Sequence, residues 1–161
     1  MRKISLIAVV AAVACGGSDN NTPTNVYVAN MTSANEVGPN ANNSPATGTA
    51  TFTVNATTVD YVITFNNLQG NISAAHIHSG AAGETNSPVT PPFALPSPAT
   101  ASGTLNGSFT AAQITAGSAS SGILAGDLNS LVNAMKTGKA YANVHSTVHA
   151  GGEIRGPINP K

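Results

Sequence analysis

The segment from Tyr141 to Ile158 reads Y-A-N-V-H-S-T-V-H-A-G-G-E-I-R-G-P-I, and it sets the pattern that the other strands follow. Its first half alternates: Ala142 and Val144 fall on one face of an extended strand, while the Tyr, Asn and His between and beside them fall on the other. Gly151-Gly152 marks a turn, and Glu153-Ile154-Arg155 alternates again. The segment therefore predicts a hairpin with small aliphatic residues facing the core and Asn, His, Glu and Arg facing away.

Similar alternation recurs along the rest of the chain. Charged residues make up only 7% of the sequence and aromatic residues 4%, while small and hydroxyl-bearing residues dominate, as expected for short strands joined by tight turns. A turn at Asn55–Thr57 joins two of these segments into an antiparallel hairpin. A further short edge strand is expected near Val89. The remaining predicted strands are Val26–Val28, Thr47–Asn55, Val59–Phe65, Ile72–His78 and Gly103–Phe109.

One segment has helical periodicity. Apolar residues recur at i, i+3, i+4 and i+7 from Leu128 to Met135, with Asp127 as the N-cap and Gly138 just beyond the end. We predict a single short helix over residues 127–137. Together with the strands, it indicates an all-β, antiparallel β-sandwich over residues 26–158.

The N-terminal sequence predicts a targeting signal. Basic residues follow Met1, and Ile4–Ala14 is an apolar run that is too short to span a bilayer. The sequence A-V-A-C that ends at Cys15 resembles a bacterial lipoprotein signal box, so residues 1–14 are predicted to be the signal peptide and Cys15 the lipidated residue. Residues 15–25 would form a flexible tether to the membrane. The alternative is an ordinary secretory signal cleaved near Cys15. Both interpretations place the protein outside the cytoplasm, and the lipid favours the outer membrane, periplasm or cell surface.

Charge and motif content exclude several functions. Removal of Arg2 and Lys3 with the signal peptide leaves four basic residues against six acidic ones, a formal charge of −2. This balance excludes the basic patch that nucleic acid requires. The sequence also contains no G-x-S-x-G motif and no phosphate-binding glycine loop, which argues against the common hydrolases.

Four polar motifs follow one another along the predicted strands and loops. They are Asn35-Glu36-Val37 with Thr47-Gly48-Thr49-Ala50, Ala75-His76-Ile77-His78-Ser79-Gly80, Tyr141-Ala142-Asn143-Val144-His145, and Gly152-Glu153-Ile154-Arg155-Gly156. In this order they resemble the CHRD domain, a family named after chordin and found in many bacterial secreted proteins. The resemblance extends from about Val26 to Ile158 and implies an extracellular setting, although the growth-factor antagonism associated with chordin is not expected of a bacterial lipoprotein. The family's usual Glu-Val-Pro-Pro is replaced here by a sequence with Gly38 in its third position.

All four histidines lie in two short clusters, His76-x-His78 and His145-x3-His149. Residues two apart on a strand share a face and lie about 7 Å apart, so neighbouring strands could bring three or four imidazoles together. Imidazole clusters bind copper or zinc, and no cysteine competes with them. The same histidines could instead hydrogen-bond loop backbone, in a purely structural role.

Glu36, Asn143, Glu153 and Arg155 are predicted to form a structural polar cluster. Within it, we expect Glu153 and Arg155 to make an ion pair across strands or loops. No residue is assigned a catalytic role.

Two functional classes remain open. The first is a non-catalytic cell-envelope module that binds an unidentified ligand or envelope protein, or has a structural role. The second is a copper- or zinc-binding protein, since the His-x-His strand and the glycine-rich, Arg-bearing segment are similar to copper–zinc superoxide dismutase at the level of fold. That likeness implies an immunoglobulin-like or superoxide-dismutase-like sandwich and a redox activity. A tightly bound metal distinguishes the two classes.

Overall fold

The computed structural model describes residues 25–161, which contain eight strands, one α-helix and three single-turn 3-10 helices. The predicted signal peptide, Cys15 and all but the last residue of the tether lie outside these residues. Within them, no helix is long and apolar enough to cross a membrane. The elements are β1 (Val26–Thr32), β2 (Thr47–Val54), β3 (Thr58–Asn66), β4 (Ile72–Ser79), β5 (Gly103–Thr110), α1 (Leu128–Lys136), β6 (Ala140–Ser146), β7 (Ile154–Pro157) and β8 (Asn159–Pro160).

The strands form one antiparallel sheet in the order β4-β6-β7-β1-β2-β3-β5, with β8 beside β1. The predicted hairpin of β2 and β3 is present, with Phe52 opposite Tyr61. The predicted all-β antiparallel class with one helix is confirmed, and the layers of the expected sandwich are parts of one curled sheet. The curl encloses an apolar core to which every long strand contributes.

Helix α1 follows its sequence pattern closely. The Asp127 carboxylate accepts hydrogen bonds from the backbone N–H groups of Asn129 and Ser130, which would otherwise lack partners. Leu131 and Met135 are completely buried on one face. Gly138 then adopts a positive φ of 68° just beyond the helix, as a C-terminal glycine commonly does. The predicted helix is confirmed.

The placement of β6 matters most for function. It lies between β4 and β7, and all seven of its residues are buried. The segment after β4 returns along the outer edge of that strand, where the Val89 N–H donates to the Ile77 carbonyl at 2.8 Å and the Phe93 N–H donates to Ala75 at 2.9 Å. The edge strand predicted near Val89 is therefore present only as a short stretch of backbone hydrogen bonds to β4. This return brings residues 80–90 beside the polar face of β4 and β6.

Candidate metal site

The register between β4 and β6 gathers three histidines on one side of the sheet. His78 lies opposite Tyr141, His76 opposite Asn143, and Ala74 opposite His145. The intervening residues, such as Ile77, face the core and are fully buried. Because side chains alternate along a strand, burial of the aliphatic residues turns the imidazoles to the opposite face.

The three imidazoles lie close enough together to share a metal ion. The ring centroids of His76 and His145 are 5.2 Å apart, those of His76 and His78 5.5 Å, and those of His78 and His145 5.6 Å. One nitrogen from each ring lies within 4.8 Å of the others. Within residues 25–161, no other group of three histidine, cysteine or acidic residues has this geometry. We call His76, His78 and His145 the histidine cluster.

Two backbone carbonyls fix the tautomers of two of these rings. The Nδ1 of His78 lies 2.7 Å from the carbonyl oxygen of Asn86, and the Nδ1 of His145 lies 2.9 Å from that of Ala150. Because a carbonyl oxygen only accepts, each Nδ1 must carry the hydrogen, which leaves a lone pair on each Nε2. Metal-binding histidines commonly donate their second ring N–H to such a partner.

The Nε2 of His78 is buried and has no hydrogen-bond partner. The Nε2 of His145 lies 3.4 Å from the Nδ1 of His76. Tetrahedral coordination with bonds of about 2.0–2.1 Å would place the ligand nitrogens about 3.3 Å apart. The closest pair therefore already has this spacing, and the donor set fits a metal ion.

Burial keeps the histidine cluster uncharged. It lowers the pKa of His76 to about 4, with a further contribution from the charge of His145. Burial also lowers the pKa of His78 to about 4, although the bond to Asn86 opposes the effect. The pKa of His145 is lowered for the same reason, against the opposing bond to Ala150. At neutral pH the rings hold lone pairs, which is the form that binds metals.

His149 does not join the cluster, although its spacing from His145 placed it among the candidate ligands. It lies beyond the end of β6, and its Nε2 is 2.6 Å from the side-chain oxygen of Gln69. Its backbone holds the turn instead, because its N–H donates to the Ser146 hydroxyl and its carbonyl accepts from Gly152. The structure therefore brings together three of the four predicted ligands.

The predicted ion pair between Glu153 and Arg155 is not formed. Glu153 is completely buried, and its Oε1 accepts hydrogen bonds from the Ser44 hydroxyl and the Gln69 backbone N–H. Arg155 donates to the carbonyls of other loop residues. Both side chains contact the connection between β1 and β2, but at different points, Glu153 at Ser44 and Arg155 at Asn35, so they do not meet.

Glu36 and Asn143 lie together beside Gly152. A Cβ atom on Gly152, whose φ is +131°, would be 2.7 Å from both the Glu36 Oε1 and the Asn143 Nδ2, so only glycine fits between them. Neither Glu36 oxygen has a hydrogen-bond partner, and the Asn143 Oδ1 also lacks one. Burial raises the pKa of Glu36 to about 7, against the opposing charge of Arg155.

Sequence reasoning did not assign a role to Tyr141. Its ring stacks on His78, with centroids 5.1 Å apart, and the Arg155 guanidinium lies 4.4 Å from the centre of the same ring. The alternation of β6 placed Tyr141 on the polar face, which was the available signal. The supporting carbonyls of Asn86 and Ala150 carried no such signal, because any residue type supplies one.

Comparison with known proteins gives the family. The family model for the CHRD domain matches residues 27–158. The chain belongs to the CHRD family. Comparisons with curated proteins and with solved structures gave no significant match. Membership supports a binding or structural module, and the histidine cluster occupies the two CHRD motifs that contain His76, His78 and His145.

Proposed function

We propose that this CHRD domain binds one transition-metal ion, copper or zinc, through the histidine cluster. The observation that carries the proposal is the buried Nε2 of His78, which has a lone pair and no hydrogen-bond partner. A histidine with a purely structural role is expected to have both nitrogens bonded, because an unpaired buried polar atom costs about 1–3 kcal/mol. A metal ion bound by all three rings would remove that cost.

The donor set favours copper or zinc over harder cations. Three neutral imidazole nitrogens match these metals, whereas magnesium and calcium prefer oxygen ligands. His78 and His145 are each 7% exposed, and His76 is more accessible. A bound ion would therefore have its solvent side next to His76, where water could complete the coordination.

We favour metal binding without catalysis, in keeping with a binding or structural module. A redox enzyme is the second candidate, favoured by the accessibility of His76, which would let a small oxidant or reductant reach the ion. The two differ in one measurable property. A redox enzyme must turn over with bound copper, whereas a binding module needs only to hold the metal.

Metal content tests the proposal directly. Tag-free protein from metal-replete cells is expected to contain about one copper or zinc per chain by elemental analysis. The stripped protein should regain one equivalent at pH 7 with a Kd well below about 1 µM, since three preformed imidazoles bind together. Stripped protein that binds both metals with a Kd weaker than about 10 µM would contradict the proposal. Superoxide and oxygen consumption assays on the copper form separate the enzyme from the module.

We also propose that the domain is held at the cell envelope by lipid on Cys15. The signal box and the polar residues 15–25 before β1 support this location. Each buried methylene contributes about 0.8 kcal/mol, so several acyl chains on one residue anchor a protein stably.

Replacing Cys15 with serine is expected to release the protein from membranes. The natural chain should partition into the detergent phase of a Triton X-114 extraction, and Cys15→Ser into the aqueous phase, because the serine variant cannot carry the thioether-linked lipid. Ser18→Ala, in the same tether, is the matched control and should remain in the detergent phase. If Cys15→Ser and the natural chain partition equally, the lipid anchor at Cys15 is excluded.

A further inference from the structure

A cavity of about 270 Å³ is lined in part by Tyr141, whose ring also stacks on His78 of the histidine cluster. Its walls are largely apolar and include Val37, Ala81 and Pro157, while the polar side chains that line it are Asn35, Tyr141 and Arg155. We propose that this cavity, hereafter the Arg155 cavity, binds a small organic carboxylate. The site is separate from the metal proposed above and does not depend on it.

The charge of Arg155 is the first argument. The side chain is only 4% exposed, and its Nε and Nη1 donate to the backbone carbonyls of Asn35 and Glu84, both at 2.7 Å. Within residues 25–161, no acidic oxygen lies within 4.0 Å of its guanidinium. A buried cation without an anionic partner is costly, and buried charges are normally paired.

Glu36 does not supply the missing anion. Its charge acts on Arg155 through space, but neither carboxyl oxygen accepts a hydrogen bond. Burial raises the pKa of Glu36 to about 7, so this carboxyl group is partly neutral at neutral pH. An anion in the cavity would therefore be the direct partner of the guanidinium.

The shape and lining of the cavity indicate the class of ligand. Guanidinium groups bind carboxylates through two parallel hydrogen bonds, and only two of the five Arg155 N–H groups donate to backbone. The volume lies just below the range of about 300–1,000 Å³ typical of ligand pockets, which limits the ligand to a few heavy atoms. Apolar walls at Val37, Ala81 and Pro157 suit a short hydrocarbon body and disfavour phosphate, which would need further donors.

Butyrate is the probe for the test, with butyramide as its neutral isostere and inorganic phosphate as the competing anion. The protein is the mature chain stripped of metal with EDTA, so that the readout is independent of the histidine cluster. Butyrate should shift the amide NMR signals of residues 80–83 and the Nε–H signal of Arg155 saturably. Butyramide and phosphate should bind at least about 10-fold more weakly, because they lack the charge or the shape for the guanidinium.

Two variants examine the site from opposite ends. Arg155→Lys should weaken butyrate binding at least about 10-fold, since an ammonium group cannot form the paired hydrogen bonds. Ala81→Leu, at a partly exposed loop position, should weaken butyrate binding because the larger side chain fills the apolar end of the Arg155 cavity. If Arg155→Lys fails to fold, Ala81→Leu still tests whether butyrate binds in this cavity. Val62→Ala, outside the cavity, should bind as the natural chain does. Equal binding of butyrate and butyramide, no saturable shift, or unchanged binding in Ala81→Leu would overturn the proposal.

Discussion

Replacing His78 or His145 with alanine is expected to lower the affinity for copper(II) or zinc at least about 100-fold at pH 7. Loss of supporting groups around a metal already costs about 10–100-fold, and removal of a ligand should cost more. Both residues hold Nε2 lone pairs in place through Nδ1 bonds to backbone carbonyls, so they are the best-oriented ligands. His76→Ala should also weaken binding, by a smaller factor, because the accessible His76 position can be taken by water.

His149→Ala is the matched control. This residue has the same chemistry and lies four positions from His145, but its Nε2 contacts Gln69 instead of the cluster. Its removal should leave the affinity unchanged within about threefold, a difference well under 1 kcal/mol. Competition against a chromophoric chelator measures all four variants, and circular dichroism of the metal-free proteins checks their folding.

The electron paramagnetic resonance spectrum of the copper(II) form adds an independent readout. Hyperfine structure from three nitrogens is expected in the natural chain and from two in His145→Ala. An affinity that falls with His149→Ala, or that survives loss of both His78 and His145, would remove the histidine cluster as the metal site.

Local patterns in the sequence predicted much of the fold. Alternation around Ile77 and Val144 was sufficient to assign both strands and their buried faces, because burying an aliphatic residue on a strand leaves its neighbours on the other face. The helix was equally accessible, since its apolar repeat and the Asp127 cap are both local signals. The orientation of the histidines followed from the same alternation.

Local patterns could not predict which strands pair when the strands are distant in the sequence. Nothing in the sequence specifies that β4 pairs with β6 while β7 pairs with β1, because such contacts depend on the whole core. The fate of His149 depends on the turn that follows β6, where Gly152 adopts a positive φ and its N–H bonds to the His149 carbonyl. Sequence spacing alone therefore gave four candidate ligands, whereas the backbone conformation of the turn keeps His149 away from the other three.

The hydrogen-bond partners of buried polar side chains were a second feature that the sequence could not predict. Glu153 and Arg155 share a face, and opposite charges two residues apart made an ion pair a reasonable expectation. In the structure, the Ser44 hydroxyl and the Gln69 backbone N–H donate to Glu153, and the carbonyls of Asn35 and Glu84 accept from Arg155. Three of these four partners are backbone groups, which the sequence does not reveal because every residue type carries a backbone carbonyl and nearly every type a backbone N–H.

Acid is expected to destabilise the metal-free domain steeply between about pH 6.5 and pH 4. The pKa of His78 is about 4 in the folded protein, whereas an exposed imidazole has a pKa of 6.5, so the unfolded chain binds more protons in this range. The stability from the neutral ring is fully present above pH 6.5 and is lost as the pH falls through 4. His78 is 7% exposed, and its pKa shift alone corresponds to about 3–4 kcal/mol at most. His76 and His145 act in the same direction.

Glu36 acts in the opposite direction. Burial raises its pKa from 4.5 to about 7, so the folded protein favours the protonated carboxyl group. The stability from this group is present below pH 4.5 and is lost as the pH rises through 7. It therefore offsets part of the histidine effect between about pH 4.5 and 6.5, where three imidazoles outweigh one carboxyl group.

Urea unfolding at a series of pH values, in EDTA, separates the two contributions. His78→Gln should flatten the loss of unfolding free energy below pH 6.5. Glu36→Gln should steepen it, and should be more stable than the natural chain at pH 8, because it removes a buried carboxylate that has no hydrogen-bond partner. An unfolding free energy that stays level from pH 6.5 to 4 in the natural chain would show that the imidazoles protonate freely when folded. Without EDTA, saturating zinc should raise the stability above pH 4 and extend the acid loss below pH 4, because the ion stabilises only the folded protein with neutral rings and is released as they protonate.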